Sequence, residues 1–291
     1  MTVSEWGVDE TLTPGLRWGW RLAIFVFLFL VLGVGLTQLA VLTGVPLTSG
    51  LSWWSVAPML AAAWVASWGV MRAFEGRPVS ALGLPLASSG ARHFVAGTAV
   101  GVVLIGGVVL VLVALGWLRW TPEPGGPPYA AWGRLAGVLA AAALTEELLF
   151  RGYPFRVLAA RFGGLVAIGG TSLAFGALHG ANPNVGALPL VNIGLAGVLL
   201  GVAYWRTMSL WYATGVHFGW NLSMGLADLS VSGIGLGIPG YDPRLIGPDV
   251  WTGGQFGPEG GLLVTLAVGA GIVWLWRTRR LTKTHGARAA G

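Results

Sequence analysis

The chain has 291 residues, of which 55% are hydrophobic and only 10% are charged, and it contains no cysteine. Soluble domains carry about 25% charged residues, so this composition excludes an ordinary soluble fold. The lack of cysteine excludes disulfides, thiolate metal sites and a cysteine nucleophile. The formal net charge of +6 would suit a nucleic-acid partner, but its distribution along the chain favours membrane topology and no nucleic acid.

Apolar runs recur along the chain, and each is long enough to cross a hydrocarbon core of about 30 Å as a helix. They cover residues 21–42, 54–72, 93–117, 133–158, 164–180, 187–204, 208–227 and 260–276. We therefore expect an all-α, polytopic membrane protein with about eight transmembrane helices. Residues 1–20 do not resemble a cleaved signal peptide, because the following apolar run is too long for one. Residues 21–131 would hold the N-terminal transmembrane helices.

Positive charges concentrate at alternate ends of these runs, as cytoplasmic loops require. They are Arg17, Arg21, Arg72, Arg77, Arg92, Arg156, Arg161, Arg206, Arg277, Arg279, Arg280, Lys283 and Arg288. The intervening loops are poor in positive charge, and the 228–259 loop carries four acidic residues against one arginine. The sequence thus predicts a multi-pass protein of the cell (inner or plasma) membrane with both termini cytoplasmic. The 1–20 segment and the basic 277–291 tail would be cytoplasmic, and the 228–259 loop extracytoplasmic.

Small residues and tryptophans carry structural signals. Four Gly-x-x-x-Gly spacings favour close helix packing, and they begin at Gly97, Gly176, Gly197 and Gly215. The tryptophans, including Trp220, are predicted to be interfacial anchors.

A few ionisable residues fall inside the predicted spans, where a charge costs about 2.5–3.5 kcal/mol on insertion scales. Glu146, Glu147 and Arg151 lie in the fourth span, and His179 ends the fifth. His217 lies in the seventh span with the polar residue Asn221. Every other charged residue is assigned to a loop or an interface. Such intramembrane groups indicate a functional site.

Spacing predicts how these groups face one another. Glu147 and Arg151 are four residues apart and share a helix face, while Glu146 lies about 100° round the helix. His217 and Asn221 also share a face. Glu146 precedes the Gly163-Gly164 turn by about as many residues as His179 follows it. An antiparallel hairpin would therefore bring both to one depth.

A carboxylate, two imidazoles and an amide can polarise a water molecule in two ways. Without a metal, Glu146 would be the general base, assisted by a histidine, and His217 and Asn221 would donate to an oxyanion. With Zn²⁺, the ligands would be Glu146, His179 and His217, and Glu147 would act as a base or as support for the ligands. Ser172 and Ser223 lack the context of a serine nucleophile. Pro154 predicts a kink near the site.

Three motifs occur in order along the chain: "EELLFR" from Glu146 to Arg151, "FGALH" from Phe175 to His179, and "HFGWN" from His217 to Asn221. They resemble the E-E-x-x-x-R, F-x-x-x-H and H-x-x-x-N/D motifs of the CAAX protease and bacteriocin-processing (CPBP, or Abi) family of intramembrane metalloproteases. The resemblance covers about residues 132–227, the expected catalytic membrane core.

The resemblance implies an eight-helix intramembrane endopeptidase that acts on a membrane-associated protein or peptide, in CAAX-type or bacteriocin- and immunity-type processing. By the same resemblance, Glu146 and His179 activate water, and His217 and Asn221 stabilise the oxyanion. Glu147, Arg151 and Phe175 would support the site.

Other interpretations remain open from the sequence. Glu147 and Arg151 could form only a structural ion pair. Intramembrane carboxylates and histidines also serve proton- or ion-coupled transporters, although the internal repeats typical of transporters are not evident here. A non-catalytic immunity or scaffold membrane protein is the third alternative.

Overall fold

The structure is a computed structural model, and it describes residues 17–45, 51–122, 129–237 and 241–278. Its longer helices are α1 (Trp18–Leu42), α2 (Trp53–Glu75), α3 (Ser88–Ala114), α4 (Tyr129–Glu147), α5 (Tyr153–Phe162), α6 (Gly164–Leu178), α7 (Ala187–Thr207), α8 (Leu210–Leu226) and, after the short α9 (Asp249–Thr252), α10 (Leu262–Arg277). Two short strands, β1 (Leu118–Pro122) and β2 (Tyr241–Leu245), pair antiparallel with Leu118 opposite Leu245. The molecule is therefore predominantly helical, as predicted.

Each predicted span coincides with a helix or with a run of joined helices. Five helices of the described chain are long and apolar enough to cross a membrane, namely α1, α2, α3, α6 with its last turn, and α7. The α10 helix is apolar but shorter. Apolar side chains such as Leu165 and Leu173 are more than 70% exposed on the helix surfaces, which suits a lipid environment. A polytopic membrane protein is confirmed, whereas the count of eight crossings is not.

The fourth predicted span is not one regular helix. A π-helical segment, Leu148–Gly152, separates α4 from α5, and Pro154 follows within the first turn of α5. The alanine-rich run before Glu146 favours helix, while proline cannot donate to the preceding turn. Such single π-helical turns occur often at functional sites, and this one begins one residue after Glu147.

The predicted extracytoplasmic loop is more ordered than the sequence indicated. Strand β2, helix α9 and one 3₁₀ turn lie inside the predicted 228–259 loop, and a second 3₁₀ turn, Pro258–Gly260, ends it. Strand β2 pairs with β1 from the connection between α3 and α4. Both strands are only five residues long and include a proline. Strands this short carry too little alternation to be recognised in a sequence.

Facing glycines join α3 to α8, the helix that carries the third motif. A Cβ atom on Gly97 would lie 2.2 Å from the Tyr212 carbonyl oxygen, and one on Gly101 would lie 2.2 Å from that of Val216. In return, a Cβ on Gly215 or Gly219 would lie 2.2 Å from a carbonyl oxygen of α3. The two Gly-x-x-x-Gly spacings therefore interlock backbone against backbone, as predicted.

Glycines also bring α6 and α7 together. A Cβ on Gly197 would lie 3.0 Å from the Ser172 Cα, and one on Gly176 would lie 3.5 Å from the Gly194 Cα. A Cβ atom on Gly180 would have no neighbour within 4 Å among the described residues, because α6 has already ended at Leu178. The packing role predicted for Gly180 was wrong.

Three charged residues that were expected in loops or at interfaces are buried, namely Arg21, Glu75 and Arg156. Arg21 donates to Glu75 at 2.8 Å, and Tyr153 donates to the same carboxylate oxygen at 2.9 Å. Arg156 donates to the Tyr204 hydroxyl at 2.9 Å. A buried charge is tolerable when it is paired and hydrogen-bonded, and these partners come from distant helices that spacing alone does not reveal. Most of the predicted cytoplasmic segments 1–20 and 277–291 lies outside the described residues.

Candidate active site

Glu147 is the fully buried centre of the site. Its Oε1 accepts a hydrogen bond from Arg151 Nη1 at 3.1 Å and another from His217 Nδ1 at 3.0 Å. The first contact spans four residues, as the helical spacing predicted, and the second joins α4 to α8. Glu147 lines neither of the two cavities described below. The structure thus places this carboxylate behind His217.

Arg151 is equally buried and is held from three sides. Its Nη2 donates to the Gly197 carbonyl of α7 at 2.8 Å. Its guanidinium carbon lies 4.8 Å from the ring centroid of Phe175 and 5.7 Å from that of Phe150. The charge is therefore balanced by a carboxylate and by the faces of two aromatic rings.

His217 lies between the two adjacent glutamates. The α8 helix that carries it is capped by the preceding residue, Ser209, whose hydroxyl accepts from the Tyr212 N–H at 3.2 Å. Because a carboxylate only accepts, His217 Nδ1 donates to Glu147. Its other nitrogen, Nε2, lies 3.7 Å from Glu146 Oε2. That separation is too long for a direct hydrogen bond and suits a bridging water.

Glu146 has a different environment from its neighbour. Its side chain is 33% exposed, yet Oε2 is buried and has no hydrogen-bond partner among the described residues. The helix turns by about 100° per residue, so Glu146 reaches a cavity that Glu147 does not. The two adjacent carboxylates therefore have different environments: Glu147 is paired with Arg151, and Glu146 faces a cavity.

His179 lies where α6 ends. Its Nδ1 is 2.7 Å from the Phe175 carbonyl oxygen, and a carbonyl only accepts, so Nδ1 donates. In the neutral imidazole, Nε2 is then the nitrogen that can accept a proton. The Phe175 ring lies 4.5 Å from the His179 ring and 6.1 Å from the His217 ring, measured between centroids. The Phe175 ring therefore contacts both imidazoles, and its supporting role stays a prediction.

Two cavities meet at this cluster. The larger has a volume of about 300 Å³, and the predicted residues that line it are Glu146, His179, His217 and Asn221. Its roof is formed by Val231, Ser232, Ile234 and Leu236, in the segment 231–236 of the predicted 228–259 loop. The smaller, of about 40 Å³, is lined by His217, Asn221 and further residues described next. Four of the predicted site residues, from three helical segments, therefore converge on one cavity.

One carboxylate and one tryptophan belong to the site although the sequence did not predict them there. Trp220 was predicted to be an interfacial anchor, but it is only 7% exposed and its Nε1 donates to Glu259 Oε1 at 2.9 Å. The Ser232 N–H donates to the other oxygen of Glu259. Burial raises the pKa of Glu259, against the opposing effect of these two hydrogen bonds and of His179 and His217. Glu259 lies in a predicted loop, and no spacing connects it to the motifs.

Metal binding and serine chemistry are not favoured by this geometry. Among the described residues, no group of three or more His, Asp or Glu side chains is close enough to hold a metal ion. The Zn²⁺ ligand set Glu146, His179 and His217 stays a prediction, and no step below depends on it. The Ser172 and Ser223 hydroxyls each donate to the carbonyl four residues earlier, at 2.6 Å and 2.8 Å.

The fold and the site together define a class: a polytopic helical membrane protein with a buried carboxylate and imidazole centre. A family model described as type II CAAX prenyl endopeptidase Rce1-like matches residues 128–223, about a third of the chain, and this segment contains all three motifs. The resemblance to the CPBP family is thereby confirmed, and the chain carries an Rce1-like region. Neither curated proteins nor solved structures give a significant match. The family match supports an intramembrane endopeptidase.

Proposed function

We propose that the protein hydrolyses a peptide bond of a membrane-associated protein or peptide, using a water molecule activated by Glu146 and His179. The observation that carries the proposal is the convergence of Glu146, His179, His217 and Asn221 on one cavity of about 300 Å³. This volume is at the lower end of ordinary ligand pockets. The segment 231–236 covers the cavity, and apolar side chains of α4 form part of its wall.

Glu146 suits the role of general base. Its partnerless buried oxygen can accept a hydrogen bond from water, and the 3.7 Å separation from His217 Nε2 leaves room for such a bridge. The carboxylate takes a proton as the water oxygen attacks the scissile carbonyl carbon. His179, whose Nδ1 is occupied by the Phe175 carbonyl, presents Nε2 to assist this transfer. The proton then passes to the leaving amine as the carbon–nitrogen bond breaks.

His217 and Asn221 suit the role of oxyanion stabilisers. Both line the cavity and lie one helical turn apart on α8. The Asn221 amide can donate to an oxygen anion directly. His217 already donates from Nδ1, so it would donate through Nε2 as an imidazolium, with carboxylates on both sides to balance the charge. Such fixed donors are worth about 10²–10³ in turnover.

Glu147 and Arg151 support the reaction from behind. Because Glu147 Oε1 binds both Arg151 and His217, the ion pair fixes the ring orientation of the histidine. This arrangement follows the general pattern in which a carboxylate orients a catalytic imidazole. Arg151 adds a second anchor through the Gly197 carbonyl.

The family match favours a CAAX-type substrate, in which a prenylated cysteine precedes the three residues removed. Bacteriocin- or immunity-type processing is the alternative that the wider resemblance implies. Both substrates would be membrane-associated, and both fit a site enclosed by transmembrane helices. With both termini cytoplasmic, as the charge distribution predicts, the loop that roofs the site would be extracytoplasmic.

A defined reporter tests the proposal. The purified protein in proteoliposomes should cleave an internally quenched peptide that ends in a farnesylated cysteine and three further residues. Activity that persists after treatment with a chelator would agree with the metal-free steps above, and loss restored by Zn²⁺ would contradict them. If the reporter is not cleaved, trapping of cell substrates by Glu146→Gln followed by mass spectrometry distinguishes another substrate from no protease activity at all.

A further inference from the structure

Glu259 brings a carboxylate to the site from outside the three motifs. It lies in the 3₁₀ turn Pro258–Gly260, immediately before α10, and it lines the smaller cavity beside His217 and Asn221. Neither its position in the chain nor the family match, which ends at residue 223, accounts for a carboxylate here. A partly buried carboxylate with a raised pKa beside two histidines is a candidate for a functional residue.

The turn that carries Glu259 is fixed to two helices. Asn192, a buried residue of α7, donates to the backbone carbonyl oxygens of Glu259 at 2.8 Å and of Gly261 at 3.0 Å. The Asn192 side-chain oxygen in turn accepts from the Thr265 hydroxyl of α10 at 2.6 Å. With its backbone held in this way, the Glu259 side chain has a defined direction towards the site.

The carboxylate then joins two segments of the site. Glu259 Oε1 accepts from Trp220 Nε1, one residue before Asn221, and Oε2 accepts from the Ser232 N–H in the roof of the larger cavity. The Ser232 carbonyl accepts from the Asn182 side chain at 2.8 Å, three residues after His179. One carboxylate therefore links α8, the roof and the end of α6.

We propose that Glu259 is a positioning residue, which holds the roof segment 231–236 against α8 and the end of α6 so that His217, Asn221 and His179 keep their places around the larger cavity. This inference rests on the proposed function. The ionisable side chains that act on the Glu259 carboxyl are His179 and His217. The contacts from α7 and α10 come from the neutral residues Asn192 and Thr265.

The kinetic test compares Glu259→Gln with Asp242→Asn, using the farnesylated reporter in proteoliposomes. Glutamine keeps the size of the side chain but loses the charge and one of the two acceptors, so the roof and α8 are no longer held together. We expect kcat to fall at least about tenfold with KM within about twofold, because small misplacements of catalytic groups slow the reaction without weakening binding. Asp242 lies in the same external segment, pairs only with Arg244 among the described residues and is 42% exposed, so its variant should retain wild-type kinetics.

A second measurement does not depend on any substrate. The chain has only four histidines, so ¹⁵N-histidine NMR in micelles can follow each ring. In Glu259→Gln, and in Trp220→Phe, the ring-nitrogen shifts of His179 or His217 should change, while those of His93 in α3 should not. Unchanged shifts of both site histidines, or equal changes in Asp242→Asn, would overturn the inference.

Parallel assays of Glu146→Gln separate this inference from the proposed function. If Glu146→Gln abolishes cleavage and Glu259→Gln leaves kcat unchanged, only the role of Glu259 is refuted. If neither variant affects cleavage, the proposed function itself fails. If Glu259→Gln does not fold, the kinetic test uses Trp220→Phe instead. This variant keeps the carboxylate and removes one of its two hydrogen-bond donors. Wild-type kcat in Trp220→Phe would overturn the inference.

Discussion

Glu147 is tolerated at a fully buried position because Arg151 and His217 both donate hydrogen bonds to its Oε1. Arg151 and Glu147 are both 0% exposed, and removal of one partner would leave the other charge without compensation. Sequence spacing predicted this pair, and the structure adds the contact with His217, which spacing could not show because 70 residues separate the two.

We predict that Arg151→Ala lowers the free energy of unfolding by about 3–5 kcal/mol, the usual cost of breaking a buried ion pair. The matched control is Arg244→Ala, which removes an ion pair whose side chains are 69% and 42% exposed. Its effect should stay below about 1 kcal/mol. Unfolding by SDS titration in mixed micelles measures both, and equal effects of the two variants would contradict the prediction.

The pH dependence of stability tests the environment of Glu259. Burial raises the pKa of this carboxyl in the folded protein, so its stabilising contribution is complete below the unfolded pKa and is lost as the pH rises through the folded pKa. From the ordinary value of about 4.3 upward to the raised one, wild type should lose unfolding free energy relative to Glu259→Gln. Parallel curves for the two proteins, or a relative gain by wild type, would show that the pKa is not raised.

Individual site residues differ in how far the sequence could reveal them. Glu146, His179, His217 and Asn221 were predictable because polar groups are rare in apolar spans, and the structure brings all four to one cavity. Trp220 and Glu259 were not, since tryptophan in a membrane protein is usually an interfacial anchor and a loop glutamate is usually solvated. Their contact joins residues 39 positions apart and exists only after folding.

At the scale of elements, helix α8 is placed by backbone contact with α3. Gly219→Ala would set a methyl group 2.2 Å from the Thr98 carbonyl oxygen, so the helices must separate. We expect a loss of about 1–3 kcal/mol in unfolding free energy together with reduced cleavage, because His217 and Asn221 move with α8. Gly106→Ala in α3 is the control, since no described atom lies within 4 Å of its built Cβ. Equal stability of the two variants would contradict this packing.

The membrane helices were predictable because each one is a long apolar run in the sequence. Each apolar run became helical because the chain must satisfy its own backbone hydrogen bonds in lipid. The β1–β2 pair and the turns around Glu259 depend instead on contacts between distant segments, such as Asn192 with residues 259 and 261. The sequence did not predict the π-helical segment after Glu147; it predicted only a kink at Pro154.

At the scale of the whole molecule, the arrangement of positive charges predicts an even number of crossings with both termini cytoplasmic. Fusions of a fluorescent protein to each terminus should therefore fluoresce, and a periplasmic-type alkaline phosphatase should be active when inserted in the 228–259 region and inactive at either terminus. Phosphatase activity at either terminus would refute this topology and place the roof of the cavity on the other side of the membrane.

The proposed mechanism depends on Glu146, which would activate the water that cleaves the substrate. The most direct measurement is kcat for the farnesylated reporter with wild type, Glu146→Gln and the control Asp242→Asn, each shown to be folded by its unfolding transition. We predict a loss of about 10²–10⁴-fold for Glu146→Gln, the usual contribution of a general base, and wild-type activity for Asp242→Asn. Cleavage by folded Glu146→Gln within about twofold of wild type would contradict it.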